Sequence, residues 1–202
     1  MRLGIIADIH CNHEGLDLAL ERMGPVDALL CAGDAVYQFR FSNEVVARLK
    51  ERGALCVLGN HDEVLLGPDG ARAPASVDPA LVAWLADHPG SLRFDVGGKS
   101  LLMFHATPWE PYRDYLFPST PALARLAQLD ADFVVYGHTH YQLARRIGRA
   151  LIVNPGSAGE PRDPHNDFQL SYAVLDTVDE AVTFGNFPDP TRTIARHSGL
   201  LP

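Results

Sequence analysis

The chain has 202 residues, of which 47% are hydrophobic and 21% charged, a composition typical of one sizeable globular domain. Its formal charge of −8 disfavours nucleic acid as a partner, because proteins that follow a phosphate backbone normally present a basic surface. No apolar run approaches the roughly 20 residues of a membrane span, and the N-terminus carries no cleavable signal pattern. The three cysteines are odd in number and widely spaced, which favours a reducing compartment. We therefore expect a cytoplasmic protein with no membrane partner.

The first part of the chain predicts a βαβαβ unit. Three short, continuous apolar runs indicate buried strands, because they are too short for helices. These runs cover residues 3–7, 28–32 and 55–58. Two segments between them have apolar residues at helical spacing, which predicts helices over 14–22 and 43–52. Ser42 is the candidate N-cap of the second helix.

The rest of the chain predicts an exposed loop, two more helices and further strands. The Gly- and Pro-rich loop covers 67–79, and the helices cover 79–87 and 121–129. Strands are expected over 91–96, 100–104, 133–136, 172–175 and 181–184, with another hairpin over 143–153. An irregular tail follows from Phe187. We expect one α/β domain over 1–202, with its core in about residues 1–186.

Polar motifs follow the ends of the predicted strands. They are Asp8-Ile9-His10, Gly33-Asp34, Gly59-Asn60-His61-Asp62, His105 and Gly137-His138-Thr139-His140. The carboxyl ends of parallel strands bring such loops together at one edge of a sheet. We expect Asp8 with His10, and His138 with His140, to share one side of an extended segment, because side chains at i and i+2 do so. The glycines within these motifs let the backbone turn closely beside the site.

These side chains suit divalent metal ions. Carboxylate, imidazole and amide oxygen together match Mn²⁺, Fe²⁺, Zn²⁺ or Co²⁺, and one carboxylate can bridge two metals about 3.5–4 Å apart. Each motif alone is weak, since Gly-Asp is a common turn and two histidines can share an exposed face. Their joint position at the ends of buried strands favours a metal centre.

The motifs resemble the signature D-x-H, G-D, G-N-H-[DE], a further His and G-H-x-H of the calcineurin-like metallophosphoesterase superfamily. Within it, the segments Ala7 to Asn12 and Asn154 to Arg162 resemble two blocks of the small phosphodiesterase group called YfcE-like. The resemblance implies a four-layer α/β/β/α sandwich, in which two mixed β-sheets are flanked by helices. It also implies a metal-dependent hydrolase with two divalent ions. Mn²⁺ is the expected metal, and Fe, Zn, Ni or Co are the alternatives.

The same resemblance implies roles for individual residues. One metal would be held by Asp8, His10 and His140, and the other by Asn60, His105 and His138, with Asp34 bridging. The catalytic residues would be Asp34, Asn60 and His61. His61 would act as general acid, and its alternative role is that of a histidine that stabilises a turn. Candidate substrate contacts are Asn12, Tyr37 and Arg162, the last with a structural role as its alternative.

Two positions depart from related patterns. Cys11 replaces the glycine that follows D-x-H, which leaves open the backbone geometry of this turn. Its thiol is either a soft extra ligand or an inert packed side chain. The segment from Gly33 to Tyr37 lacks the G-D-x-V-D-R-G motif of protein Ser/Thr phosphatases. A protein phosphatase is therefore disfavoured.

The resemblance predicts a phosphodiesterase that hydrolyses small soluble phosphate esters by attack of a metal-bridging water or hydroxide. The alternatives are a phosphomonoesterase acting on nucleotides or small metabolites, and a non-catalytic interaction scaffold with the same fold. The scaffold is disfavoured because all the motif histidines are present: His10, His61, His105, His138 and His140. The expected partners are a small phosphate ester and further copies of the chain in a homo-oligomer.

Overall fold

The computed structural model describes residues 1–68 and 76–192. Its strands are β1 (Arg2–Ile6), β2 (Ala28–Cys31), β3 (Leu55–Cys56), β4 (Ser91–Val96), β5 (Lys99–Phe104), β6 (Phe133–Val135), β7 (Gln142–Ile147), β8 (Ala150–Pro155), β9 (Leu170–Asp176) and β10 (Ala181–Phe187). Its α-helices are α1 (His13–Met23), α2 (Asn43–Glu51), α3 (Asn60–Leu66) and α4 (Pro79–Ala86). Two 3-10 helices cover Pro121–Gln128 and Pro164–Asn166.

The strands form two five-stranded sheets, each of them mixed. The first has the order β10-β9-β1-β2-β3, in which β1, β2 and β3 are parallel and β9 and β10 antiparallel. The second has the order β4-β5-β6-β8-β7, in which β5, β6 and β8 are parallel and the two edge strands antiparallel. Both parallel centres therefore have their carboxyl ends available for a site.

Successive side chains of the central strands pack on opposite faces of each sheet, so the core has apolar layers both between the sheets and beneath the helices. In β1, Leu3 and Ile5 pack between the two sheets, against residues such as Met103 of β5. Ile6 points the other way and packs beneath α1 and α2. On the second sheet, Phe104 faces outward against the first 3-10 helix. Because successive side chains of a strand point to opposite faces, continuous apolar strands are needed in such a sandwich. The predicted four-layer α/β/β/α fold is confirmed.

Local capping explains where the helices begin. The side chain of Asn12 accepts a hydrogen bond from the Gly15 backbone N–H at the start of α1. Ser42 does the same for Val45, which confirms the predicted N-cap of α2. None of the helices in the described residues has the length and apolar character that a membrane crossing requires.

The elements depart from the prediction in three places. The motif after β3 was expected in a loop and instead begins α3. The third strand has two residues rather than four. The segment predicted as a helix over 121–129 is a 3-10 helix, with hydrogen bonds such as that from Leu123 N–H to Thr120 O. Residues 69–75 of the predicted loop and 193–202 of the predicted tail lie outside the described residues.

Candidate metal centre

The polar motifs meet at the carboxyl ends of the central strands. Asp8 and His10 follow β1, Asp34 follows β2, Asn60 and His61 begin α3 after β3, His105 follows β5, and His138 and His140 follow β6. The carboxylates and the four histidines outside α3 are at most 5% exposed. The fold therefore gathers every metal ligand that the resemblance implies into one largely buried cluster.

The backbone at these residues is left-handed. Positive φ angles occur at Asp8 (54°), His10 (49°), Asp34 (54°), His138 (67°) and His140 (61°). Residues other than glycine rarely adopt this backbone conformation. Each instance costs about 1–3 kcal/mol, so it persists only where the surrounding structure compensates for that cost. The prediction that each pair shares an extended segment is wrong. The pairs converge on the centre through left-handed turns instead.

Hydrogen bonds between the loops hold this conformation. The Asp34 carbonyl accepts from the backbone N–H of His10 at 3.1 Å, and the His138 N–H donates to Asp8 Oδ2 at 3.0 Å. A Cβ on Gly59 would overlap the Asp34 carboxylate, so glycine is required for this close approach. Each turn is therefore tied to a turn that follows another strand.

Three groups of three side chains could hold a metal ion, and two of them share no residue. The third group, His10 with Asp34 and His61, takes one residue from each of these two. In the first triad (Asp8, His10, His140), His140 Nε2 lies 3.4 Å from Asp8 Oδ1 and 3.2 Å from His10 Nε2. In the second triad (Asp34, His105, His138), His105 Nε2 lies 3.3 Å from Asp34 Oδ2 and 3.2 Å from His138 Nδ1. These distances bring nitrogen and oxygen lone pairs from several loops to two common points.

Asn60 and Asp34 complete this arrangement. The amide oxygen of Asn60 lies 3.1 Å from His105 Nε2, so it adds an oxygen to the second triad. Asp34 Oδ2 also lies 3.9 Å from His10 Nε2. The Asp34 carboxylate is therefore situated between the first triad and the two histidines of its own triad.

Contacts on the outer side of two rings determine which nitrogen faces the centre. His105 Nδ1 lies 2.8 Å from the Ala32 carbonyl, and His140 Nδ1 lies 2.6 Å from the Glu160 carbonyl. A carbonyl oxygen only accepts, so Nδ1 donates in both rings and each neutral ring presents its Nε2 lone pair inward. Such outer hydrogen bonds typically orient metal-binding histidines.

The donor set fits divalent cations. Lone pairs of imidazole nitrogen and of carboxylate and amide oxygen converge at short range, an arrangement that is repulsive unless a proton or a cation lies between them. The residues present are thus those of a centre that is completed by a positively charged group from outside the chain.

The pKa values of the histidines also indicate that the centre needs a positive charge. Burial disfavours the charged ring and lowers the pKa of His10 to about 3, of His138 to about 3 and of His140 to about 4. Burial acts the same way on His105, but the Asp34 carboxylate outweighs it and raises the pKa of His105 to about 10. In the metal-free chain, the proton on His105 therefore offsets the carboxylates. Metal ions would replace that proton.

Comparison with known proteins identifies the family. Residues 1–180 match the sequence model of the calcineurin-like phosphoesterase superfamily domain. The chain belongs to the calcineurin-like phosphoesterase superfamily. A relative, the uncharacterised protein MJ0912 of Methanocaldococcus jannaschii, is 26% identical over 212 residues, which cover 88% of this chain and 83% of the relative. The family that the motifs indicated is confirmed, and it is a family that uses divalent metals.

Solved structures agree with the fold of this phosphoesterase. A metallophosphoesterase from Sphaerobacter thermophilus matches with a TM-score of 0.75 and 24% identity over 94% of this chain and 89% of that chain. YfcE, a phosphoesterase from E. coli, matches with a TM-score of 0.53 and 20% identity over 94% and 100%. At these identities the likeness concerns the fold alone.

The predicted substrate contacts differ in how free they are. The Asn12 side chain caps α1 and donates to the Gly159 carbonyl and the Asp189 carboxylate, so its polar atoms are engaged within the chain. The Tyr37 ring lies beside the His10 ring, with centroids 4.7 Å apart. The Arg162 side chain is exposed at the edge of the centre. Tyr37 and Arg162 border the site. Asn12 lines the same pocket as His10 and Tyr37 and also caps α1, so its role as a substrate contact stays a prediction.

Glu160 borders the site and was missed in the sequence. Its carboxylate lies 3.7 Å from His10 Nε2, accepts from the Tyr37 hydroxyl at 3.0 Å and accepts from Arg162 Nη2 at 2.8 Å. It stands at a variable position of the block that resembles the YfcE-like group, two residues before Arg162. An acidic residue two positions before a candidate phosphate contact was the sequence feature from which a role for Glu160 could have been predicted.

The structure answers the question raised by Cys11. Its φ is 64°, the left-handed conformation that a glycine adopts without strain. The thiol donates a hydrogen bond to the Arg40 carbonyl at 3.0 Å, and burial raises its pKa. A neutral thiol with this partner is a packed side chain, in agreement with the second of the two readings.

Proposed function

We propose that this phosphoesterase hydrolyses small soluble phosphodiesters with the help of two divalent metal ions, of which Mn²⁺ is the first to test. The position of Asp34 between the two triads carries the proposal, because a carboxylate shared by two ligand groups is the arrangement of two-metal hydrolases. The first triad would hold one ion, and Asn60 with His105 and His138 the other. When bound, the ions supply a water of lowered pKa and positive charge beside the phosphoryl oxygens.

His61 is placed to supply a proton. Its Nδ1 accepts a hydrogen bond from the Gln38 backbone N–H at 3.2 Å, so the neutral ring carries its proton on Nε2. Nε2 lies 3.9 Å from Asp34 Oδ2, and the side chain is 19% exposed. The ring acts as an acid in its imidazolium form, in which Nδ1 is also protonated and the Gln38 contact is released. It can then donate the Nε2 proton to the leaving oxygen and become neutral, while hydroxide forms a new bond to phosphorus and the bond to the leaving oxygen breaks. The products are a phosphomonoester and an alcohol.

The mouth of the centre favours a diester over a monoester. A phosphodiester carries one negative charge, whereas a monoester carries nearly two at neutral pH. Burial would raise the pKa of Glu160, but Arg162, Tyr37 and the nearby histidines outweigh this and lower it, so the carboxylate is ionised. A second negative charge on the phosphoryl group would approach this carboxylate and be repelled.

The backbone argues against a non-catalytic scaffold. A scaffold needs neither buried carboxylates nor left-handed Asp8 and His138, and both features reduce stability. A binding surface elsewhere on the fold would let these positions relax to apolar or glycine residues. The cytoplasmic location and the homo-oligomer remain parts of the proposal. Light scattering tests the oligomer.

The proposal is tested by stripping the protein with a chelator and assaying it before and after Mn²⁺ is added. The substrates are bis(p-nitrophenyl) phosphate and p-nitrophenyl phosphate. We expect Mn²⁺ to restore diester turnover and Asp34→Asn to lower it by about 10³-fold, because it removes the charge between the triads. Asp17→Asn, on the exposed face of α1, is the matched control and keeps wild-type turnover.

Two outcomes contradict the proposal. Faster turnover of p-nitrophenyl phosphate than of the diester would support a phosphomonoesterase. A folded protein that binds two Mn²⁺ per chain in equilibrium dialysis, yet hydrolyses neither ester, would support a scaffold.

A further inference from the structure

A row of rings leads away from the metal centre and has no part in the proposed hydrolysis. Tyr115 stacks on His138, with centroids 4.0 Å apart and planes at 26°. Phe117 stacks on Tyr115 at 5.7 Å and 9°, and Tyr141 meets Phe117 edge-on at 5.1 Å. His165 continues the row at 6.2 Å from Tyr141. We call Tyr115, Phe117, Tyr141 and His165 the aromatic row.

The aromatic row borders an open groove. A cavity of about 680 Å³ is lined by Phe117, Pro118, Ser119, Tyr141, Arg145 and His165. This volume lies within the range of about 300–1,000 Å³ that is typical of small-molecule sites. Tyr115, between the groove and His138, is 49% exposed. Phe117 and Tyr141 thus line a groove that Tyr115 connects to the candidate metal centre.

One wall of the groove is basic. Arg145 Nη1 donates to the Pro118 carbonyl at 3.0 Å, which keeps the guanidinium at the wall. Within residues 1–68 and 76–192, no carboxylate lies at ion-pair distance from Arg145. The remaining guanidinium N–H groups and the exposed Ser119 are available to polar edges of a ligand.

From this geometry we infer that the groove binds the base of a nucleoside phosphodiester whose phosphate lies at the metal centre. The inference rests on the proposed phosphodiesterase function, which requires a phosphate ester, and it specifies the class of that ester. In nucleotides, one sugar separates the phosphate from a flat heteroaromatic ring with polar edges. Such rings stack on aromatic side chains whatever the base, so the groove selects nucleosides as a class.

Two diesters with the same leaving group test the inference. They are p-nitrophenyl thymidine 5′-phosphate and p-nitrophenyl methyl phosphate, which both release p-nitrophenolate, so their ratio of kcat/KM reports on the nucleoside. We expect the wild-type ratio to exceed 10 and to fall about tenfold in Phe117→Ala and Phe117→Leu, because stacking is lost. Leucine preserves apolar volume, so its effect separates stacking from packing. Phe39→Ala is the control, since Phe39 is 64% exposed and does not line the groove.

A binding measurement separates this inference from the proposed function. Adenosine, which has no phosphate, is titrated into metal-stripped protein, and saturable NMR shifts of the aromatic row support the groove. These shifts together with hydrolysis of neither ester would support the groove and overturn the phosphodiesterase. Equal kcat/KM for both esters, without any shift from adenosine, would overturn the groove and keep the phosphodiesterase. A ratio that drops equally in Phe39→Ala would also overturn the groove.

Discussion

At the two ends of the same strands, different residues adopt backbone conformations with a positive φ. At the end opposite the site, left-handed turns are made by glycines such as Gly24 (φ 67°) and Gly53 (φ 60°), where an added Cβ would meet no atom within 4 Å. At the site end, positive φ angles fall on Asp8, Asp34 and His138 in addition to Gly33. Where only the chain direction matters, glycine avoids the strain. Where a side chain must reach the centre, the strain is retained.

The burial of the site end should make the metal-stripped protein unstable in acid, the largest effect we expect. His10, His138 and His140 have folded pKa values of about 3, 3 and 4, below the ~6.5 of an unfolded histidine. As the pH falls from about 6.5 to 4, the unfolded chain binds protons that the folded chain does not. These three groups therefore lower the stability as the pH falls. Asp8 and Asp62, whose pKa values burial raises (for Asp62 to about 7), bind protons in the folded chain first and offset part of that loss.

Urea unfolding at a series of pH values measures this loss. His138→Gln removes one of the three histidines and should flatten this decrease in stability. If the dependence of stability on pH were unchanged in this variant, the acid sensitivity would not come from His138. The proposed difference between the two ends of the strands would then be wrong.

His61 tests whether the exposed side of the centre has its own role. His61→Gln should lower kcat by about 10²-fold, because it removes the proton donor. The loss should be larger for an alkyl leaving group than for p-nitrophenolate, which leaves without a proton. Equal losses for both leaving groups would assign His61 to positioning rather than to proton transfer. Mn²⁺ stoichiometry, measured by equilibrium dialysis, is the control for an intact centre.

Glu160 tests the charge at the mouth. Glu160→Gln keeps the shape of the side chain and removes its negative charge, so it should raise the ratio of monoester to diester kcat/KM by about tenfold. Glu51→Gln, at an exposed position of α2, is the matched control and should leave the ratio unchanged. A ratio that stays constant in Glu160→Gln would show that Arg162 masks the carboxylate.

The smallest effects concern the backbone itself. Gly24→Ala should destabilise the protein by about 1–3 kcal/mol, because its φ of 67° and ψ of −158° are essentially restricted to glycine. Cys11→Gly relieves strain at a φ of 64° and should raise stability by less than about 1 kcal/mol, since glycine also gains entropy in the unfolded chain. Denaturant unfolding measures both changes. Stabilisation by Gly24→Ala would remove the contrast between the ends.

The prediction from sequence succeeded where the signal was local and failed where it was not. Strands such as β1 and β5 were predictable because buried parallel strands are continuous apolar runs. The start of α3 was not, because Asp62 accepts both from Gly59 within the helix turn and from Val36 after β2. A seven-residue helix is too short to form by itself, so this distant contact decides it.

The family and the side chains that gather at the centre were predictable from the sequence, because residue types that bind metals directly follow short apolar strands. The left-handed turns, the position of Glu160 and the aromatic row became visible only in the folded chain. Tyr115 contacts His138 because the order of the second sheet brings their segments together. The sequence around either residue does not predict this contact. Contacts between distant segments depend on sheet order, which local patterns do not contain.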